Sequence, residues 1–155
     1  MIGAWRICQR PLARRAFDGE GAFLYGGRWS SPGTRVVYLA SSLALAALEM
    51  LVHIEDGQDL LGERYVAIGV AFDASLIASP AKLPRRWYDD PVPAAATLVG
   101  DGWVASGSSA LLRVPSAVIP SEPNCLLHPG HRDARRVRIG TPISFTFDPR
   151  LARRR

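Results

Sequence analysis

The clearest hydrophobic pattern along the chain lies at Tyr65–Phe72. Val66, Ile68, Val70 and Phe72 fall on one side of an extended segment, with Ala67, Gly69 and Ala71 on the other. This predicts a strand whose small-residue face admits a closely packed helix. Arg35–Ala40, reading Arg-Val-Val-Tyr-Leu-Ala, is rich in β-branched and aromatic residues and predicts a second strand. Shorter strands are expected at Ala4–Cys8, closed by Arg10-Pro11, at Leu111–Val114, running into Pro115-Ser116, and at Ile143–Phe147. Helical signals are fewer. Ser41 and Ser42 offer an N-cap to the good helix formers of Leu43–Ile54, which Asp56-Gly57 should stop. Ala94–Ala105 predicts a second helix, weakened by Gly100 and Gly102. Phe17–Gly33, with five glycines, reads as a loop that lets backbone approach a ligand, and Pro80–Pro93 as a proline-rich loop around Trp87.

Composition narrows the class. The 155 residues suit one domain, and 48% hydrophobic with 21% charged residues is the balance of a folded chain. Fourteen glycines and twelve prolines imply many turns and exclude a plain helical bundle, leaving an α+β order that is strand-heavy in its second half. We expect a single domain over 1–151 and a solvated basic tail over 152–155. Cys8 and Cys125 have no paired spacing, and the most apolar run, Leu43–Ile54, is interrupted and too short to span a bilayer. A cytoplasmic protein without a membrane partner is the expectation. The net charge is +5, and apart from Lys82 every basic side chain other than histidine is an arginine. Planar guanidiniums suit phosphate or carboxylate clamping.

Several residues stand out chemically. Glu49 lies between Leu48 and Met50 and one turn after Leu45, a costly place for a carboxylate unless it is paired, protonated or facing a cleft. The plain alternative is a stripe-edge Glu satisfied by His53 one turn on. Arg28 closes the turn Gly26-Gly27-Arg28-Trp29, where a guanidinium among glycines can reach a phosphate; an exposed hairpin arginine is the competing reading. No Lys-Ser or Lys-Thr follows, so a phosphate-binding P-loop is excluded. Ser116 lacks a Gly-x-Ser-x-Gly setting and reads as a hydrogen-bond donor or a turn residue, not a nucleophile. Cys125, His128 and His131 supply three ligands broken by Pro129-Gly130, and no metal is expected. The doublets Arg14-Arg15, Arg85-Arg86 and Arg135-Arg136 raise the alternative of a non-catalytic basic domain that binds nucleic acid or a partner protein. They are dispersed and not interleaved with aromatics, so direct nucleic-acid binding is not expected.

Taken in order, Trp5-Arg6-Ile7, Gly26-Gly27-Arg28-Trp29, Val36-Val37-Tyr38-Leu39-Ala40, Ala46-Ala47-Leu48-Glu49, Val114-Pro115-Ser116-Ala117 and Asn124-Cys125-Leu126-Leu127-His128-Pro129 resemble the RES-domain toxins, a family named for an Arg, a Glu and a Ser. The resemblance spans Trp5 to about Leu151. Two positions depart from it: Ser30 stands where many relatives carry Asn, and His128 where Asn is common before the proline. The resemblance implies an ADP-ribosyltransferase-like fold with a mostly antiparallel sheet and flanking helices. It also implies a type II toxin, neutralised by an Xre-like helix-turn-helix antitoxin that covers the active cleft. Such toxins use NAD+ as substrate, cleaving the nicotinamide–ribose bond and passing ADP-ribose to a protein acceptor, to water or to phosphate. Carried onto this chain, the site residues are Arg6, Arg28, Tyr38, Glu49, Ser116 and Asn124. Glu49 would stabilise the ribosyl cation, and Arg6 and Arg28, either of them the namesake, would hold the diphosphate. Tyr38 would flank nicotinamide, and Ser116 would orient the ribose or the amide.

Overall fold

Tyr65–Phe72 is a strand, β3, and it pairs antiparallel with Ile2–Gln9, β1, along the full length of both in the computed structural model, which describes residues 1–153. On the other side of β1 lies β2 (Val37–Ala40), followed by β6 (Pro123–Leu127), β5 (Leu111–Pro115) and β4 (Ile77–Ala78). Among the described residues only β4 and β5 run parallel, and every other strand pairing is antiparallel. The short strands β7 (Arg138–Ile139) and β8 (Ile143–Phe145) share the outer edge of β3. The two halves of the sheet meet narrowly, because β1 and β2 have a single register pair, Trp5 opposite Ala40. The mixed α+β architecture expected from the sequence is present.

Among the described residues three α-helices accompany the sheet: α1 (Glu20–Tyr25), α2 (Leu43–Leu51) and α3 (Ala94–Ser106). Alternation along the strands gives the sheet two distinct faces. One carries Ile7, Ala40 and Ala67 against Leu45 and Ala46 of α2, and further along Leu112, Val114 and Leu126 against Trp29 and the α3 residues Ala96 and Trp103. The opposite face carries Ala4, Leu39, Val70, Phe72 and Cys125 against Leu76 and Val137. Helix α2 packs chiefly on β1 and β2, and Ala67, on the small-residue side of β3, belongs to the same buried cluster. Each fully buried leucine in these clusters contributes about 1.5–3 kcal/mol of hydrophobic stabilisation.

The differences from expectation have local causes. The Phe17–Gly33 segment is not loop throughout: it contains α1, entered through Gly19 (φ 73°) and left through Gly26 (φ 69°). These glycines end a helix in backbone conformations that other residues adopt at a cost. Helix α2 does start at a Ser42 cap, whose hydroxyl accepts from the Leu45 amide at 3.0 Å. It stops at Leu51, short of Ile54, where the His53 and Ile54 amides turn back to the carbonyls of Met50 and Leu51 in 3₁₀ fashion. Strand β6 was not expected; it opens on Pro123, a position where the missing amide is tolerated. Pro149–Ala152 forms a 3₁₀ turn, and Ala152 packs against the cluster that contains Leu60, Tyr65 and Phe147. Arg154 and Arg155, the last residues of the expected tail, lie outside the described residues.

Candidate functional site

Glu49 follows the buried Leu45 and Ala46 by one turn, so the helix aims it at the sheet and not at solvent. Its neighbour there is Asn124, which the β6 register places opposite Ala40 and Val114. The Asn124 amide donates from Nδ2 to Glu49 Oε1 at 2.6 Å, and the Ser116 hydroxyl donates to the same oxygen at 2.6 Å. Ser116 is fully buried directly after β5, where its amide donates to the Glu122 carbonyl at 2.9 Å and closes the 116–122 loop. Its Oγ in turn accepts from the amides of Val118 and Ile119, both at 3.0 Å. Those amides occupy the lone pairs of the hydroxyl and leave its single proton for Glu49. His53, the partner that the sequence offered for Glu49, is exposed and is not the group it bonds. Among the described residues no cation pairs with Glu49, and Oε2 is neither buried nor bonded.

The Gly26–Ser31 turn is built on the same face of the sheet. Tyr38 shares that face with Asn124 through the β2–β6 register, and its hydroxyl lies under the turn. That hydroxyl meets Ser30 Oγ at 2.9 Å and accepts from the Trp29 amide at 3.1 Å. Burial raises the Tyr38 hydroxyl above its usual pKa of 10.0, although both of these hydrogen bonds work the other way. From α3, Asp101 accepts from the Ser31 amide at 2.9 Å. Its carboxyl is held below the usual 3.8: partial burial opposes this, and hydrogen bonds from Ser31 and Thr34 outweigh it. Beside Asp101, Gly100 lies so close to the Trp29 carbonyl that a Cβ there would collide with it. Arg28 emerges from this turn half-buried, and one nitrogen, Nη1, donates to the carbonyls of Trp87 and Asp89, both at 2.8 Å. Trp87 stacks on Trp29 with ring centroids 5.5 Å apart, tying the proline-rich loop to the turn. Arg28 is therefore not the freely exposed hairpin arginine of the competing reading.

Arg6 is placed differently. It shares the face of Ala4 and Cys8, away from α2, and Nη1 donates to the Tyr38 carbonyl at 3.1 Å. Its Nε is buried without a partner, and burial lowers its pKa. The structure thus brings Glu49, Ser116 and Asn124 into direct contact and sets Tyr38 and Arg28 on the same face. Arg6 stands behind them, and no hydrogen bond or ion pair among the described residues joins either arginine to Glu49.

The RES domain family matches residues 4–148. The chain belongs to the RES domain family. Relatives of this RES domain chain include Toxin Res of Yersinia enterocolitica, 40% identical over 148 residues that cover 95% of this chain and 97% of the relative. The Prs ADP-ribosylating toxin of Sphingobium sp. strain YBL2 is 37% identical over 155 residues, covering 97% and 96% of the two chains. Among solved structures, the crystal structure of the M. tuberculosis MbcT–MbcA toxin–antitoxin complex has a chain that superposes with a TM-score of 0.73 at 18% identity. The match covers 97% of this chain and 86% of that one, and it bears out the fold expected from the resemblance.

Sequence reasoning missed two contributors to this RES domain site. Asp101 holds the turn, and its signal was present: two helix-poor glycines flank an acid inside a good helix. The Trp87 and Asp89 carbonyls that hold Arg28 leave no mark in side-chain chemistry. Among the described residues no group of three or more His, Cys, Asp or Glu side chains is placed to hold a metal ion, and no helix is long and apolar enough to cross a membrane.

Proposed function

We propose that this protein is the toxin of a toxin–antitoxin pair and that it consumes NAD+ by breaking the nicotinamide–ribose bond. Family membership and the ADP-ribosylating name of a relative support this reading. The observation that carries it is the Glu49 carboxylate, held by two neutral donors on one oxygen, with no cation among the described residues to cancel its charge and the other oxygen open. Nicotinamide departs neutral from a cationic substrate and takes the electron pair of the C–N bond, so no general acid is required. The ribose carbon left behind gains oxocarbenium character, as in glycoside cleavage. A fixed, unneutralised carboxylate stabilises that charge most where water is partly excluded. The acceptor, which we take to be a protein side chain, water or phosphate, forms the new bond to that carbon and gives up its proton.

Arg28, whose remaining guanidinium nitrogens carry no hydrogen bond among the described residues, is the arginine this reading assigns to the diphosphate; Arg6, on the far face, is assigned support of the β2 backbone through the Tyr38 carbonyl. Tyr38 flanks the nicotinamide end while its hydroxyl keeps the turn in place. An Xre-like antitoxin covering this cleft would bring a carboxylate-bearing segment to Arg28, because a buried guanidinium needs a partner. The alternative of a basic nucleic-acid-binding domain fits less well. In each arginine doublet one member pairs with a nearby aspartate: Arg15 with Asp18 at 3.0 Å, Arg86 with Asp89 at 2.7 Å and Arg136 with Asp133 at 3.7 Å.

The test is release of free nicotinamide from NAD+, with the masses of the products identifying the acceptor. Glu49→Gln should keep the fold and slow release by about 100- to 1000-fold, the usual effect of losing a transition-state charge partner. Wild-type turnover in that variant would remove the assignment.

A further inference from the structure

The proposal below rests on the reading of Glu49 as the group that stabilises the ribosyl cation. Asn124 enters this chain's chemistry only as a position shared with a family pattern, which suggests contact with the dinucleotide. Its geometry points elsewhere. The Asn124 amide nitrogen is committed to Glu49 Oε1 at 2.6 Å, and its Oδ1 is buried without a partner. An amide that leaves its carbonyl bare inside the protein is held by its other end, and that end is on the carboxylate. Rotating the amide would press a carbonyl oxygen against a carboxylate oxygen, so the observed orientation is the one that Glu49 dictates.

Ser116 reaches the same oxygen with its only proton, and the Val118 and Ile119 amides fix that hydroxyl. Two donors, one directly after β5 and one on β6, therefore load Oε1 and hold the carboxylate from both segments. Oε2 keeps its lone pairs. We propose that Asn124 is a positioning residue: with Ser116 it pins Oε1 so that Oε2 alone faces the substrate, and it does so without adding positive charge. A lysine or arginine in the same place would hold the carboxylate as firmly and weaken its field on the ribose.

The experiment compares NAD+ turnover by the whole protein with that of Asn124→Asp and Asn124→Ala, each variant's melting being followed by circular dichroism. Asn124→Asp keeps the shape, removes the donor and adds like charge; Asn124→Ala only removes the donor. We expect kcat to fall by about tenfold in the alanine variant and about 100-fold in the aspartate variant, with KM for NAD+ changing less than about threefold. Asn124→Gln, which restores the amide on a longer stem, should recover part of kcat. If the aspartate variant melts below the assay temperature, the alanine variant decides the matter. Wild-type kcat in the folded alanine variant overturns the proposal, as does a lowered kcat that Asn124→Gln leaves as low, which marks a merely structural role. A KM that rises in place of the fall in kcat also overturns it, since it marks direct contact with the dinucleotide. Absence of turnover in the wild-type protein would instead remove the underlying reading of Glu49.

Discussion

The two opposite charges of the candidate site are held by the same device. The Glu49 carboxylate rests on a hydroxyl and an amide, and the Arg28 guanidinium rests on two backbone carbonyls. Neither has an ionic partner among the described residues, although ion pairs are plentiful elsewhere, all involving arginines at the surface. A paired charge is already cancelled and has little field left for a ligand. Neutral hydrogen bonds fix direction and leave the charge available. The two charges differ in their supports: Glu49 stands on a regular helix beside β6 and the segment directly after β5, whereas Arg28 depends on a tight turn clamped by α3, Tyr38 and the 80–93 loop.

That difference can be broken or sharpened by substitution. Arg28→Ala should lower kcat/KM for NAD+ by about 100-fold, through the loss of a charged hydrogen-bonding group and of the loop contact it anchors. Arg28→Lys should not restore it, because an ammonium cannot serve two carbonyls from one nitrogen and still present a fork. Unchanged apparent affinity in either variant would reduce Arg28 to a turn residue. Gly100→Ala comes next: the new Cβ meets the Trp29 carbonyl, and overpacking should cost about 2 kcal/mol and lower Tm by roughly 5 °C. Calorimetry would check it, and nicotinamide release should fall because the turn bearing Arg28 is displaced. Tyr38→Phe removes the acceptor of the Trp29 amide and should cost about 1–2 kcal/mol in urea unfolding, with Glu49 unaffected.

The same turn makes stability depend on pH at both extremes. Asp101 is held below 3.8, so its contribution is present above that value and is lost as the pH falls through the lower folded-state pKa. Tyr38 is raised above 10.0, so its contribution is present below that value and is lost as the pH rises through the higher one. Unfolding curves across pH should therefore flatten on the acid side in Asp101→Asn and on the alkaline side in Tyr38→Phe. The smallest effect expected is Gly102→Ala, which meets nothing within 4 Å and should stabilise α3 by up to about 1 kcal/mol, opposite in sign to its neighbour Gly100.

The parts of this architecture that were legible in the sequence are those set by local pattern. The alternation of Val66, Ile68, Val70 and Phe72 located β3, and the Ser42 cap located the start of α2, because period and capping act over a few residues. Glu49 was visible as a misfit carboxylate, but its partners were not. Ser116 and Asn124 lie 67 and 75 residues away and reach it only through the order of β5 and β6 in the sheet. The glycines of 17–33 misled for a related reason: a glycine that caps α1 and one that admits a ligand look alike until the backbone angles are known. Arg6 and Arg28 also looked equivalent, and the strand register separates them by putting Arg6 on the far face.

The most direct measurement is a crystal structure of the wild-type protein with a non-cleavable carbocyclic analogue of NAD+. The account predicts that the ring carbon bearing nicotinamide lies roughly 3–4 Å from Glu49 Oε2, with Oε1 still bonded to Ser116 and Asn124 and the diphosphate on Arg28. An analogue seated on the Arg6 face, with Glu49 left to solvent, would contradict it.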